Sequence, residues 1–440
     1  MNYSLGNMLG GSNGSLNPDK LSLNLQFATD KTLTARKGPT PTFTRASTAT
    51  FVGSNGLIQS AAINDARFDH NPTTLASLGL RMEQGTTNLT KRSDNDFSNV
   101  YWNSTANNVT AVDSVTTSPT GVASTASSIT EIAGVSVTRH IHQATGEFTP
   151  AASSAYTMSA WVKQPPTDPV RYVQLAFWVA GFGSTAYMNY DIQTGVVGTG
   201  GAGITASSIV AYPNGWYRIS ATATSLASPA SSGFQLGFST TSGAVRTEAY
   251  TVVSPLKSIY LWGAQVEQTS FPTSYIPTTT SQLTRSADLC SITGSDFTSF
   301  YNQSEGTIVG SGSTNQLTSN AGPELFRSSD GTNNNRIQFG MTNVTGQAIR
   351  PFITASGTTT YSSNQGTATV GVERKVGIAY KTNDTISAFN GTLGTLDTTV
   401  TPPTNCNQVA LFSGLGNGTI SSLRYFKKRL PNAKLQTLTT

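Results

Sequence analysis

The chain has 440 residues, of which 37% are hydrophobic and 11% are charged, against a usual charged share of about a quarter. Gly, Ser, Thr and Asn make up the difference, a balance that suits strands joined by turns and excludes an architecture of long helices. Net charge is +5, but the 27 basic residues are scattered; Arg424, Lys427, Lys428 and Arg429 form the densest group, and no nucleic-acid-binding face is expected.

Residues 1–20 (MNYSLGNMLGGSNGSLNPDK) have little to bury and read either as an arm that docks on a partner or as a frayed terminus. They carry no apolar core of the kind a secretion signal needs, and no later run approaches membrane-spanning length. From residue 21 the chain offers short strand-like pieces separated by turn residues: LSLNLQF, ATFVG, GLIQS and LGLRMEQ. After an Asn-rich stretch, AYTMSAWVKQ places Tyr156, Met158, Ala160 and Val162 on one face and Thr157, Ser159, Trp161 and Lys163 on the other. VRYVQLAFWV reads as a central strand, and NGWYRISATAT, SGFQLGFST and SIYLWGAQVE continue the series.

Strands of this length at this spacing predict an all-β protein of antiparallel β-sandwich or jelly-roll type. Pro272 and Pro277, each without an N–H for a ladder, oppose continuation of a central strand, so the expected domain seam lies near 290. Beyond it EGTIVGS, NRIQFGM, RKVGIAYK, TISAFNG and GTISSLRYF predict a second sandwich, and KRLPNAKLQTLTT closes with one or two helical turns against it. The expected units are an arm (1–20), a first domain (21–289) and a second (290–440).

Three stretches, FTRASTATFVGSNGLIQSAAINDARFDHNP (43–72), GLRMEQGTTNLTKRS (79–93) and YLWGAQVEQTSFPTSYIPT, resemble recurring blocks of tail-, fibre- and head-associated structural proteins of double-stranded DNA bacteriophages. The closing GTISSLRYFKKRLPNAKLQTLT resembles the last strand and short helix of concanavalin A-like, laminin-G-type sandwiches. The resemblance implies a jelly roll similar to carbohydrate-binding modules, followed by a concanavalin A-like lectin domain. It further implies a non-enzymatic virion component, assembled in the host cytoplasm, that contacts other virion proteins and recognises a host surface glycan. A homo-oligomer, in fibres usually a trimer, is part of that implication, although no coiled-coil heptad supports it. A capsid-surface decoration or head fibre protein, and a depolymerase cutting surface polysaccharide, are the alternatives.

The residues themselves favour binding over chemistry. Glycan hydrolysis needs two carboxylates about 5 to 9.5 Å apart across one sugar ring. The best group is Asp65, Asp69 and Glu83 beside Arg67 and Arg81. It reads as an ion-pair network, or as a clamp for a ligand or a calcium ion; carboxylates flanked by Arg stay ionised and make poor general acids. An alternating E-x-D-x-E run is missing, as are a P-loop lysine near GTGGAG and a nucleophile elbow. His140 and His142 share a strand face and could reach a metal only with His70 or a carboxylate. Cys290 and Cys406 read as reduced thiols, a bridge between them being the other reading. For sugar stacking the candidates are Trp102, in an Asn-rich loop, and Trp161, whose strand face is otherwise polar. Glu267 is expected to accept a hydrogen bond from an Arg or a backbone amide, with Gly263 letting a neighbour approach closely.

Overall fold

The computed structural model describes residues 21–102, 108–134, 136–137, 141–144, 146–166, 172–315, 324–341, 349–367, 369–413 and 416–440. These residues are almost entirely strand, in several antiparallel sheets that pack as two sandwiches. Strands predicted from alternation appear where the pattern placed them: SIYLWGAQVE is strand Ser258–Glu267, GTISSLRYF is Gly418–Phe426 and RKVGIAYK is Arg374–Lys381.

The division between the sandwiches is not the expected one at 290. Leu289–Thr293 lies in a seven-stranded sheet between Thr42–Thr44 and Gln408–Ser413. Facing it across the core, an eight-stranded sheet has Gly418–Phe426 near its middle, paired on one side with Glu305–Thr314 and on the other with both Leu21–Leu25 and Ser77–Met82. Segments near both ends of the chain therefore build one structure, here termed the terminal sandwich. Its core joins Leu23, Leu25, Leu80 and Met82 to Ile308, Phe326, Val376, Ile378 and Leu423.

The second, inserted sandwich is built from strands between 109 and 267. A six-stranded sheet runs from Ile204–Ala211 through Tyr217–Thr224, Ala155–Lys163, Ser258–Glu267 and Ala126–Glu131 to Val109–Thr116. A five-stranded sheet contains Tyr172–Ala176 between Gln235–Ser239 and Tyr187–Asp191. Between them lies a core including Tyr156, Met158, Ala160, Val162, Val173, Leu175 and Tyr190. The chain enters and leaves this unit through one two-stranded ribbon, Thr86–Asn88 against Leu283–Arg285. Pairing the entry and exit strands fixes the insertion at both of its ends.

The two sandwiches cover their outer faces differently. On the terminal sandwich, helix Asn432–Thr439 lies against the sheet with Leu435 and Leu438 over Val309, Ala379 and Ala388. Gly377 makes room for it, since a Cβ there would stand 2.7 Å from the Leu435 Cδ1. Burying a leucine side chain completely is worth about 1.5–3 kcal/mol, which holds a helix too short to be stable alone. On the inserted sandwich, the outward face of Ala155–Lys163 is polar in pattern yet Thr157, Ser159 and Trp161 are all buried. What covers them is the chain that follows strand Ser258–Glu267 together with the two-stranded sheet Ala49–Val52 and Ile58–Ala61.

Candidate functional site at the seam

After Glu267 the chain turns back over its own sheet. Glu267 accepts hydrogen bonds from the Thr273 amide (2.8 Å), the Thr273 hydroxyl (2.7 Å) and the Gln265 side chain (2.8 Å). The expected backbone-amide donor is thus present. Tyr275 then inserts between the sandwiches: its carbonyl accepts from the Thr50 hydroxyl and its own hydroxyl meets that of Ser93. Tyr275, Trp161, Trp262, Trp216, Val52 and Ile58 form an apolar cluster at this seam. Trp161 and Trp262 are direct cross-strand partners, and the neighbouring Gly263 has φ +67°. A Cβ on Gly263 would stand 2.6 Å from the Trp161 ring, so only glycine permits this packing.

Beside the cluster lies a buried ionic layer. Glu83 accepts from Arg67 and Arg285 at 2.7 Å each on one oxygen and from Arg81 at 2.9 Å on the other. The Ser274 amide (2.8 Å) and hydroxyl (2.6 Å) complete its shell. Burial alone would raise the Glu83 carboxyl, but the Arg285, Arg81 and Arg67 guanidiniums hold it well below the usual carboxylate range. Asp288 accepts from Arg45 and Arg67 and from the Glu83 amide. Asp69 accepts from the Val52 amide (2.7 Å) and from Arg81 (3.0 Å). Every carboxylate here is occupied, and the layer ties residues 45–83 to residues 274–288 across the root of the insertion.

The expected clamp is therefore only partly assembled. Asp69 and Glu83 meet through Arg81, whereas Asp65 is exposed before strand Phe68–His70, forms no ion pair among the described residues and acts on Arg45 only at longer range. Among the described residues no three His, Cys, Asp or Glu side chains gather as a metal site. Guanidiniums and amides occupy the Asp69 and Glu83 oxygens a calcium ion would need. His140 and the His142 side chain lie outside the described residues, as does the 1–20 arm. Cys290 and Cys406 are free and buried, and burial pushes their thiols up to about 12 and about 11.

Neither tryptophan candidate offers a sugar an open face. Trp102 is 0% exposed: its short helical turn, Val100–Trp102, closes the inserted core against Phe97, Tyr101 and Phe234, and its Nε1 donates to the Arg92 carbonyl. Trp161 is also 0% exposed, with Trp262, Tyr275 and Tyr212 packed edge-on and the Arg218 guanidinium 4.4 Å from its ring. Its polar strand neighbours signalled an exposed face only in a single sandwich. With a second sandwich laid over them they form a buried layer.

Trp161 instead backs a cleft of ≈ 360 Å³ where the two sandwiches meet. The terminal sandwich supplies Asp69, His70, Asn71, Arg81 and Thr419, and the inserted one supplies Ser208, Tyr212 and Arg218. Arg218 donates to the Ser159 hydroxyl (3.1 Å) and the Thr273 carbonyl (2.7 Å), and it forms no ion pair among the described residues. Burial pulls its guanidinium below its ordinary value. His70 is buried, its Nδ1 3.2 Å from the Val52 carbonyl. The depression of ≈ 350 Å³ lined by Gln84, Ser154 and Phe271 has no charged side chain in its wall.

No protein-family model matches the chain, and no curated sequence matches it. Solved structures similar to it include domain 4 of AbnA, an extracellular arabinanase from Geobacillus stearothermophilus in complex with arabinotriose: 13% identity, TM-score 0.29, 38% of this chain and 82% of that one. Another is the CBM40 of the Ruminococcus gnavus IT-sialidase bound to α2,3-sialyllactose (16%, 0.28, 31% and 83%). A third is the Trypanosoma rangeli sialidase in complex with the inhibitor DANA (14%, 0.27, 34% and 26%). This chain spans about a quarter of that last protein. Likenesses this distant carry no argument about ligand or reaction.

Tyr212 and Arg218 went unmarked in the sequence, and His70 was named only as a possible metal partner of His140 and His142. The aromatic-flanked turn YPNGW around Tyr212 was the one local signal. Nothing local links it to a histidine more than a hundred residues earlier.

Proposed function

We propose that the chain is a carbohydrate-binding, lectin-like protein whose binding site is the seam cleft, and that it acts by recognition. The observation that carries this is the composition of the cleft wall. Partly exposed Tyr212 offers an aromatic surface, and Ser208, Asn71, Ser274, Asn315 and Thr419 surround it with hydroxyls and amides. Sugar rings present apolar faces and many hydroxyls, and concave sites of this mixed kind suit them. The ionic layer beside the cleft fixes the wall that the terminal sandwich supplies, which limits the ordering cost of binding.

A polysaccharide-cleaving protein is the second reading, favoured by one observation: two carboxylates, Asp69 and Glu83, flank the same Arg81. Against it, Glu83 is held strongly ionised and neither group is placed to give up a proton to a leaving oxygen. The setting proposed is a virion, as a tail or fibre component or a capsid decoration, and it rests on the resemblance of residues 43–93 and 260–278 alone.

The test is retention of the full chain on a panel of immobilised bacterial surface polysaccharides, with reducing ends assayed in the same wells. Retention lost in Tyr212→Ala, with no new reducing ends, is the expected result. New reducing ends would establish the cleaving protein, and retention unaffected by Tyr212→Ala would place the site elsewhere. Antibody labelling of native particles separates tail from capsid, and absence of label would remove the virion setting.

A further inference from the structure

The cleft wall holds buried nitrogens without acceptors, and they point to the kind of saccharide it takes. Four of its lining residues carry buried nitrogens without a partner among the described residues: Nε1 of Trp161, Nε2 of His70, and Nε of Arg81 and Arg218. Trp161 and His70 are 0% and 5% exposed. The indole and guanidinium nitrogens can only donate. The imidazole does either: its Nδ1 lies 3.2 Å from the Val52 carbonyl, and its Nε2 accepts or donates according to the tautomer.

The charges lean the same way. Five guanidiniums, Arg45, Arg67, Arg81, Arg218 and Arg285, lie around the seam, and all but Arg218 are in ion-pair contact with Asp69, Glu83 or Asp288. Arg218, which lines the cleft, is the one of the five that forms no ion pair among the described residues; Glu267 and Glu83 act on it only at longer range. Asp69, the carboxylate in the wall, already accepts on both oxygens. A buried cation with no anion in contact is costly, and a ligand that brings one lowers that cost.

We infer that the cleft is selective for anionic saccharides, a ring carboxylate or a sulfate ester being bound at Arg218 and the unpartnered nitrogens beside it, with Tyr212 against the ring. This rests on the carbohydrate-binding reading and adds the substrate class to it. Hydrogen bonds to a charged acceptor are roughly twice as strong as neutral ones, so an acidic glycan should bind about 10- to 100-fold more tightly than a neutral twin.

The experiment is an array of matched glycans probed with the full chain. Uronic-acid and sialic-acid oligosaccharides stand beside their carboxyl-reduced forms, and sulfated galactans beside desulfated ones. Retention of acidic members at least tenfold above their twins is expected, and the arm that shows it identifies carboxylate or sulfate. Arg218→Met should abolish the preference while Arg218→Lys keeps part of it; thermal melting of both variants checks folding. The comparison of twins uses the unaltered protein and stands even if Arg218→Met fails to fold. Equal retention of twins overturns the anionic selectivity while leaving carbohydrate binding intact. No retention of any glycan overturns both.

Discussion

The ionic layer and the cleft are neighbours that share Arg81, and they differ in one respect. In the layer each carboxylate has its donors: Glu83 has three guanidiniums and Ser274, and Asp288 has two guanidiniums and an amide. In the cleft, Arg218 has no ion pair and the Trp161 Nε1 no acceptor among the described residues, although arginine Nε atoms are unpartnered in both regions. A polar group buried with all its partners contributes to structure; one buried without them costs free energy until something binds. The same contrast holds for two carboxylates. Glu83 is surrounded by cations and held far down, while Glu147 accepts from the Lys91 and Phe234 amides at 2.9 and 3.2 Å and burial pushes it up to about 8.

The widest test of the layer is to remove half of it. A fragment of residues 290–440 lacks Glu83, Asp288 and strands Leu21–Leu25, Thr42–Thr44 and Ser77–Met82, so it should show no cooperative melting transition. A folded fragment would mean that the early strands decorate the terminal sandwich without completing its core. In the full chain, Glu83→Gln leaves Arg67, Arg81 and Arg285 facing one another without their shared anion. Breaking a buried pair in this way costs about 3–5 kcal/mol, read as a fall in the denaturant midpoint. A cost under about 1 kcal/mol would say that water reaches the layer.

A smaller and pH-dependent effect separates Glu147 from Glu83. The folded value of Glu147 lies above its unfolded one, so its stabilising form is the neutral acid. Its contribution is complete below about pH 4.5 and is lost as pH rises towards 8. Glu147→Gln should therefore gain stability over the parent progressively between pH 5 and 8, with no gap at pH 4. For Glu83, held low, the sign reverses: its contribution is present above its unfolded value and is lost in acid. A constant gap between Glu147→Gln and the parent across that range would show that Glu147 is ionised in the folded protein.

Strand positions were legible because side chains alternate. Val376, Ile378 and Tyr380 share the buried face that their spacing indicated, and Tyr156, Met158, Ala160 and Val162 do the same in the other sandwich. The proline that starts the last helix and the leucines on its inner face were equally local signals. The insertion was not legible. Pairing Ser77–Met82 with Gly418–Phe426 joins segments more than three hundred residues apart, and such contacts leave no mark on either segment's own pattern. That one gap accounts for the misplaced boundary at 290 and for the misreading of Trp161. A Thr-Ser-Trp-Lys face signals solvent in a lone sandwich, and here the tail after Glu267 and the strands Ala49–Val52 and Ile58–Ala61 cover it. Asp69 and Glu83 were found because their neighbours were charged in sequence. Tyr212 and Arg218 were not, nor was the place of His70 beside them, because only the packing of one sandwich against the other brings the three to one cleft.

The claim that a saccharide bridges the two sandwiches is tested most directly by backbone hydrogen exchange on the full chain, with and without the tightest-binding glycan. The account predicts slowed exchange in two separated segments at once, around His70–Asn71 and around Ser208–Arg218, with the outer helix Asn432–Thr439 unchanged. Protection confined to loops of a single sandwich would contradict it.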